Sequence, residues 1–217
     1  MQQRQKEILS ILIEDYVKEA KPISSGFLVR RHQLDYSPAT VRNELAELLD
    51  NGYLKKIYFS SGNVPTNKAY RLVVEEALNE PDKQPQKKHQ ELSSLPEAVS
   101  FLAKEFGSLT AGVDSEFNFF LDGVDELFGQ PDFFTRDHYL LLGGLVECLQ
   151  ELKKDFFRKR GNAIFVGKEN PFWNGSDELS WFFGSARKAS FSIVAIGPTR
   201  MPYKKNWKIF CEVLNEF

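Results

Sequence analysis

Hydrophobic residues recur at helical spacing through the first third of the chain, and short polar turns separate three such segments. The segment 5–20 carries a broad apolar stripe. Residues 24–32 predict a short second helix, and a tight turn at 34–36 leads into a third helix. Helix, helix, short turn and helix is the helix-turn-helix arrangement.

The third helix, within the segment 37–54, is the most completely specified of the three. Ser37 suits the N-cap, Pro38 suits the first helical position, and Gly52 suits a left-handed residue at the end. One face is expected to be buried, and it consists of Val41, Leu45 and Leu48. The opposite face consists of Ala39, Asn43, Ala46 and Asp50, with Arg42 beside them. Small residues beside Asn and Arg suit a helix that enters a major groove, because Asn pairs with adenine edges and Arg with guanine edges.

Most amphipathic helices with a Ser-Pro start contact no DNA, so the residues that follow carry much of the argument. The segment 54–59 predicts a short strand, 60–63 a turn and 64–66 a returning edge strand. A hairpin in this position would complete a winged helix-turn-helix, with a short helix after it at 67–78. The alternative is an ordinary two-stranded lid on three helices, and winged folds can also bind protein or RNA.

A winged helix-turn-helix predicts contacts of three kinds with DNA. Arg42 and Asn43 are expected to contact base edges. Ser37 and Thr40 are expected to bind phosphate near the helix N-terminus, where the helix dipole favours negative charge. Further phosphate contacts are expected from basic residues, namely Arg30, Arg31, Lys55, Lys56 and Lys68.

The second half of the chain has the pattern of an α+β domain. Residues 79–96 are polar and without period, which predicts a linker. Helices are predicted at 96–109, 140–157 and 205–217, and strands of an antiparallel sheet at 117–121, 163–166, 179–183 and 191–196. The leucine seam of the 140–157 helix is expected to pack on the domain's own sheet. An intermolecular coiled coil is the less favoured alternative, because the seam spans only about two heptads.

Composition and charge restrict the function classes. The 217 residues are 42% hydrophobic, which is enough for well-formed cores, and the formal net charge is −2. Residues 1–75 carry 11 Lys and Arg against 9 Asp and Glu, a net charge of +2, which leaves −4 for residues 76–217. This asymmetry favours nucleic acid at the N-terminal end.

Several kinds of chemistry are not expected. Cys148 and Cys211 form no metal or redox pattern, and the three histidines are scattered. Neither a signal peptide nor a membrane span is predicted, so we expect a cytoplasmic protein in a reducing compartment. With no nucleophile elbow, metal motif or phosphate loop, we expect no cofactor and no enzyme activity.

Five sequence runs resemble one bacterial family, that of the heat-inducible transcription repressor HrcA. The run SPATVRNELAELLDNGYL at 37–54 and the following SSGNVPTNKAYRL at 60–72 are similar to SPATIRNEMAxLExxGYL and TSAGRIPTxKGYR in the family. The runs LFGQPDF at 127–133, VGKENP at 166–171 and IGPTRMPY at 196–203 resemble LLxQPEF, IGxEN and IGPTRMDY, in family order. Asn63 stands where the family has a wing Arg. It is kept among the candidate DNA contacts, with a weakened or a retuned wing as the two alternatives.

The resemblance implies a repressor of chaperonin and chaperone operons that binds an inverted-repeat operator as a homodimer, with the chaperonin as a further partner. It also implies a GAF-like regulatory domain, which is reduced here because the chain passes almost directly from 102–108 to Gly129. The predicted organisation is a winged helix-turn-helix DNA-binding domain over 1–78, a linker over 79–96 and a truncated GAF-like regulatory and dimerisation domain over 97–217.

Two alternatives concern the second half. GAF-like domains often bind small molecules, and the polar residues available are Glu169, Asn170, Thr199 and Arg200. A structural role is favoured, in which Thr199 caps a helix and Arg200 anchors a buried carbonyl or carboxylate. The alternative function is a regulatory module that senses a ligand or a protein partner and does not repress alone.

Overall fold

The computed structural model describes residues 1–58, 61–79, 92–133, 135–173, 175–186 and 191–216. The chain divides into two compact units, Met1–Glu75 and Glu76–Phe217. Most of the predicted linker, residues 80–91, lies outside the described residues, as do positions 59 and 60 of the predicted hairpin.

The first unit consists of three helices followed by a two-stranded antiparallel sheet. The elements are α1 (Gln3–Glu19), α2 (Ser25–His32), α3 (Pro38–Asp50), β1 (Leu54–Lys55) and β2 (Val64–Pro65), after which α4 (Asn67–Asn79) begins. Leu54 pairs with Pro65 and Lys55 with Val64. The predicted strand at 54–59 is therefore paired over only two residues among those described. The apolar stripe of α1 packs against the inward face of α3.

The second unit is built on a five-stranded antiparallel sheet with helices on both faces. Its helices are α5 (Leu95–Phe106), α6 (Val124–Phe128), α7 (Arg136–Glu151), α8 (Lys153–Arg158) and α9 (Tyr203–Glu216). Its strands are β3 (Leu109–Asp114), β4 (Phe119–Asp122), β5 (Ala163–Val166), β6 (Leu179–Ser185) and β7 (Phe191–Pro198), in the sheet order β4-β3-β7-β6-β5. The mixed fold with an antiparallel sheet and flanking helices agrees with the sequence-based prediction.

Alternate residues of the central strands face different helices, which explains why these strands are largely apolar. Phe182 packs against Phe106 of α5 and Phe210 of α9, with ring centroids 5.7 and 6.0 Å away. Its neighbour Trp181 belongs to the core on the other face, which includes Phe156 of α8. Both faces of the sheet are thus buried, and a polar residue such as Ser180 is accommodated there by pairing its hydroxyl with that of Tyr203 at 2.6 Å.

Strand β3 and helix α6 were not predicted, and two of the predicted helices differ in their bounds. The helix predicted to reach residue 109 ends at Phe106, because Gly107 is left-handed with φ +57°, and Leu109 begins β3. The helix predicted at 140–157 consists of α7 and α8, which meet at Leu152 with ψ near 0°. The leucine seam on α7, Leu142, Leu145 and Leu149, lies in the core of its own unit, as the favoured interpretation predicted.

Candidate nucleic-acid interface

Helix α3 begins at a cap made by two hydroxyl side chains. The Ser37 Oγ accepts a hydrogen bond from the Thr40 backbone N–H at 3.1 Å, and the two hydroxyls lie 2.9 Å apart. Pro38 occupies the first turn as predicted. The predicted N-cap is confirmed, so both side chains also have a structural role at the end where the helix dipole favours an anion.

The outward face of α3 carries polar groups that the fold does not use. Val41, Leu45 and Leu48 are buried as predicted, and Ala39, Asn43, Ala46 and Asp50 on the other face are exposed. Within the described part of the chain, neither Arg42 nor Asn43 has a side-chain hydrogen bond or ion pair, and both are exposed. A surface with suitable acceptors can therefore bind both side chains without first breaking a contact.

Two acidic residues of α3, buried Glu44 and exposed Glu47, are paired with side chains of α1. Glu44 is buried, and its Oε1 accepts from the Arg4 Nε at 2.6 Å. Glu47 is hydrogen-bonded by the side-chain amide of Gln5. Arg42 is the one basic residue of α3 and is exposed, and exposed Asp50 lies at the far end of the helix.

The two arginines at the end of α2 have different environments. Arg31 is bound to the carboxylate of Glu19, lies 3.3 Å from the Asp15 carboxylate and stacks over the Phe27 ring. The hydrogen bond to Glu19 raises the pKa of Arg31. Arg30 is exposed and, among the described residues, has no such partner. Of these two predicted phosphate contacts, Arg30 is the available one.

A buried carboxylate, which the sequence analysis missed, joins α1 to α2. Asp15 is 1% exposed, and its Oδ2 lies 2.7 Å from the His32 Nε2. The Arg31 Nε lies near the other oxygen. An acidic residue on the apolar stripe of α1 is the signal that could have revealed this contact.

The hairpin presents both basic and apolar side chains. Lys55 and Lys56 are exposed, as are Ile57 and Tyr58, the latter at 74%. The Ser61 hydroxyl holds this turn, because it accepts from the Tyr58 N–H at 3.1 Å and donates to the Tyr58 carbonyl at 2.8 Å. Neither Ile57 nor Tyr58 was among the residues predicted to contact DNA.

Asn63 lies inside the unit, away from the exposed part of the hairpin. It is 6% exposed, its backbone pairs with Ile23 in both directions, and its Nδ2 donates to the Ile23 carbonyl at 3.2 Å. A Cβ at the preceding Gly62 would come within 2.7 Å of the Pro22 carbonyl group, so this close approach requires glycine. Asn63 therefore ties the hairpin to the segment before α2, and we leave it out of the candidate interface.

Lys68 is bound to the end of α3. Its Nζ donates to the Asn51 carbonyl at 2.8 Å and lies 4.4 Å from the centroid of the Tyr53 ring. The Thr66 hydroxyl donates to the Gly52 carbonyl at 2.7 Å. A lysine at this end of a helix also complements the helix dipole. Thr66 and Lys68 thus fix the turn between α3 and the hairpin.

Two of the four polar residues considered for a ligand in the second unit, Arg200 and Asn170, make hydrogen bonds within the fold. Arg200 is the predicted anchor, since its Nη2 donates to the Asp132 carboxylate at 2.7 Å and to the Gln130 side chain at 3.4 Å. Asn170 is buried, and its Oδ1 accepts from the Phe172 N–H at 2.9 Å. Among the described residues, no three His, Cys, Asp or Glu side chains are grouped to hold a metal ion. No helix in the described ranges is both long and apolar enough to cross a membrane.

Comparison with known proteins defines the family. The model of the family described as the HrcA protein C terminal domain matches residues 40–206. The chain therefore belongs to the HrcA family.

The heat-inducible transcription repressor HrcA of Staphylococcus haemolyticus is 40% identical over 111 residues, which are 48% of this chain and 34% of that protein. The protein of the same name from Geobacter sulfurreducens is 50% identical over 76 residues, which are 35% of this chain and 22% of that protein. The chain thus matches about a third or less of the length of these relatives.

One solved structure has the same fold. It is a crystal structure of a hypothetical protein at 2.2 Å resolution, with a TM-score of 0.81 and 16% sequence identity. The match covers 99% of this chain and 97% of that chain. At this identity the likeness concerns the fold alone.

Proposed function

We propose that this chain is a sequence-specific transcription repressor of heat-shock genes, which binds an inverted-repeat operator in double-stranded DNA as a homodimer. In this proposal the first unit is a winged helix-turn-helix, α3 is the recognition helix and the β1–β2 hairpin is the wing. The order and pairing of these elements support the assignment.

The pair Arg42 and Asn43 is the observation that carries the proposal. Both side chains are exposed and unpaired within the described residues, and both carry the donors that read guanine and adenine edges. Ala39 and Ala46 flank Asn43 on the same face, so the helix backbone can come close to the bases.

Phosphate contacts would surround this pair. Arg30 and Lys55 have unused charges within the described residues, Lys56 is exposed beside them, and Ser37 and Thr40 mark the N-terminus of α3. Ile57 and Tyr58 are apolar side chains at the exposed part of the wing, and such side chains suit the sugar edges of a minor groove.

The remaining parts of the proposal rest on the relatives. Those proteins are named heat-inducible transcription repressors, which supports heat-shock genes as targets. The chaperonin as a partner is proposed from the family resemblance alone. A single recognition helix reads too few base pairs to define a unique site in a genome, so a dimer on an inverted repeat is required. The second unit would act as a reduced GAF-like regulatory domain, and the protein would work in the cytoplasm.

The test compares operator preference in the full chain and in an Asn43→Ala variant. Fluorescence anisotropy on a family-type inverted-repeat duplex and on a scrambled duplex, across a salt series, should show a preference of about 10³ or more for the parent chain. Asn43→Ala should lose about 1–3 kcal/mol of that preference per half-site. Most of its affinity for the scrambled duplex should remain, because that affinity comes from phosphate contacts.

Asn79→Ala is the matched control, since Asn79 is an exposed asparagine at the far end of α4. Unchanged operator preference in Asn43→Ala would reject the base contact. Equal binding of the parent chain to both duplexes, lost as salt rises, would favour a regulatory module that does not repress alone.

A further inference from the structure

The outward face of α7 carries large apolar side chains that its own unit does not cover. Leu140 is 66% exposed and Tyr139 is 54% exposed, whereas the inward leucines of the same helix are buried. The Phe128 ring of α6 stacks on Tyr139, with the centroids 5.0 Å apart, and Val124 at the start of α6 is also exposed. The exposed parts of α6 and α7 thus carry several large apolar side chains.

Two adjacent glycines lie on this face, and the described fold gives no reason for either. A Cβ added to Gly143 or Gly144 would meet no atom within 4 Å, and neither residue has a positive φ. Glycine in the interior of a helix is destabilising relative to alanine. A close approach by another backbone from outside would account for the pair, because glycine is the residue that allows such contact.

Charges along the same face are arranged for a second copy of this chain in antiparallel orientation. At 100° per residue, Arg136, Leu140, Glu147 and Glu151 lie on one stripe with the two glycines. Within the described residues, none of these three charged side chains has an ion pair. Arg136 and Glu151 are about 22 Å apart along α7, so they cannot pair within one copy.

We propose that the outward face of α7 is the surface through which two copies of this chain associate. The helices cross antiparallel at a two-fold axis close to Gly143 and Gly144, so the glycine pairs of the two copies meet and Leu140 of each copy lies opposite the partner's Glu147. Arg136 then lies near the partner's Glu147 and the partner's Glu151, twice in the dimer. A parallel arrangement would place like charges together.

This proposal rests on the proposed function in one respect, because an operator with an inverted repeat requires a dimer. Its test is separate, because the mass of the chain in solution is measured without DNA. Sedimentation equilibrium should show a dimer for the parent chain. Leu140→Glu should weaken the dimer by more than about tenfold, because the new carboxylate faces the partner's Glu147.

Gly144→Gln should also give a monomer, since its side chain fills the space that the partner backbone needs. The added Cβ meets open space within one copy, so this variant should keep the parent far-ultraviolet circular dichroism and melt no lower. Leu78→Glu is the matched control, because Leu78 is an exposed leucine away from this face, and it should leave the dimer unchanged.

A charge exchange tests the antiparallel orientation. Arg136→Glu and Glu151→Arg should each weaken the dimer, and the two together should restore it. A monomeric parent chain would overturn the proposal. Variants that all remain dimeric would also overturn it, as would a double variant whose dimer is weaker than that of either single variant. Variants that become monomeric should still bind a duplex with one half-site more tightly than a scrambled duplex. Loss of that preference would count against the DNA-binding proposal and not against the dimer surface.

Discussion

Side chains of the same type differ in availability according to their neighbours. Arg30 and Arg31 are adjacent and both exposed, yet Arg31 is bound to Glu19 and Asp15, while Arg30 has no ion pair among the described residues. Lys55 and Lys68 differ in the same way, because the Lys68 ammonium is bound to a helix end. Charge alone therefore does not identify a phosphate contact.

The environment of Asp122 leads to a prediction about pH at the residue scale. The Ser100 hydroxyl donates to its Oδ2 at 2.5 Å and the Gly123 N–H to its Oδ1 at 2.7 Å, and both bonds lower the pKa of Asp122. A lowered pKa in the folded state adds stability above the unfolded pKa. That stability is lost as the pH falls through the folded pKa.

Asp122→Asn should therefore lower the Tm at neutral pH and should flatten the fall in Tm between neutral pH and about pH 3. Thermal melts followed by circular dichroism would measure both effects. Asp155→Asn is the control, because Asp155 is exposed and its carboxylate has no comparable pair of donors among the described residues. An equal acid dependence in Asp122→Asn and the parent would count against the assignment.

The turn after α3 shows how one element positions another. Gly52 is left-handed with φ +72°, and the Thr66 hydroxyl and the Lys68 ammonium bind the carbonyls at the end of α3. These bonds hold the hairpin in a fixed position relative to the exposed face of α3. Thr66 and Lys68 match the family pattern, and their role in positioning the hairpin accounts for these residue types.

The salt dependence of DNA binding should separate the two classes of lysine. Lys55→Gln should reduce the slope of log affinity against log salt by about one, because a phosphate contact is lost. Lys68→Gln should leave the slope unchanged and lower stability by about 1 kcal/mol, because its bond to the Asn51 carbonyl is lost. Anisotropy in several salt concentrations measures the slope, and a reduced slope in Lys68→Gln would restore it as a phosphate contact.

At the scale of the whole molecule, the two units have separate cores. The first unit carries the candidate DNA contacts, and the second buries a five-stranded sheet between helices. Among the groups considered for a ligand in the second unit, Arg200 and Asn170 are bound within the fold. The outward face of α7 carries exposed large apolar side chains, which supports an association role for this unit.

The spacing of operator half-sites tests how the dimer presents its two recognition helices. Insertion of about five base pairs between the half-sites turns one of them to the opposite side of the duplex. The affinity of the two-protomer complex should fall by about tenfold or more, while an insertion of about ten base pairs should cost less. Isolated half-site duplexes are the control, and equal affinity for all spacings would mean that the protomers bind independently.

The sequence determined the elements whose signals are local. Ser37, Pro38 and Gly52 set the ends of α3, and the spacing of its apolar residues set the buried face. The seam of α7 also followed from the local pattern of leucines. These features depend on backbone conformation and side-chain periodicity, which neighbouring residues largely decide.

Only the tertiary structure decided the features that depend on distant partners. Strand β3 was not predicted, because LTAGVD has little strand signal of its own. The strand forms because β4 and β7 pair with it on its two sides. Asn63 is buried because Ile23, forty positions earlier, supplies its backbone partner, and Lys68 is bound because the end of α3 lies beside it. The periodicity of the sequence does not encode which distant backbone groups form hydrogen bonds. Those long-range contacts decide which polar side chains remain available for DNA.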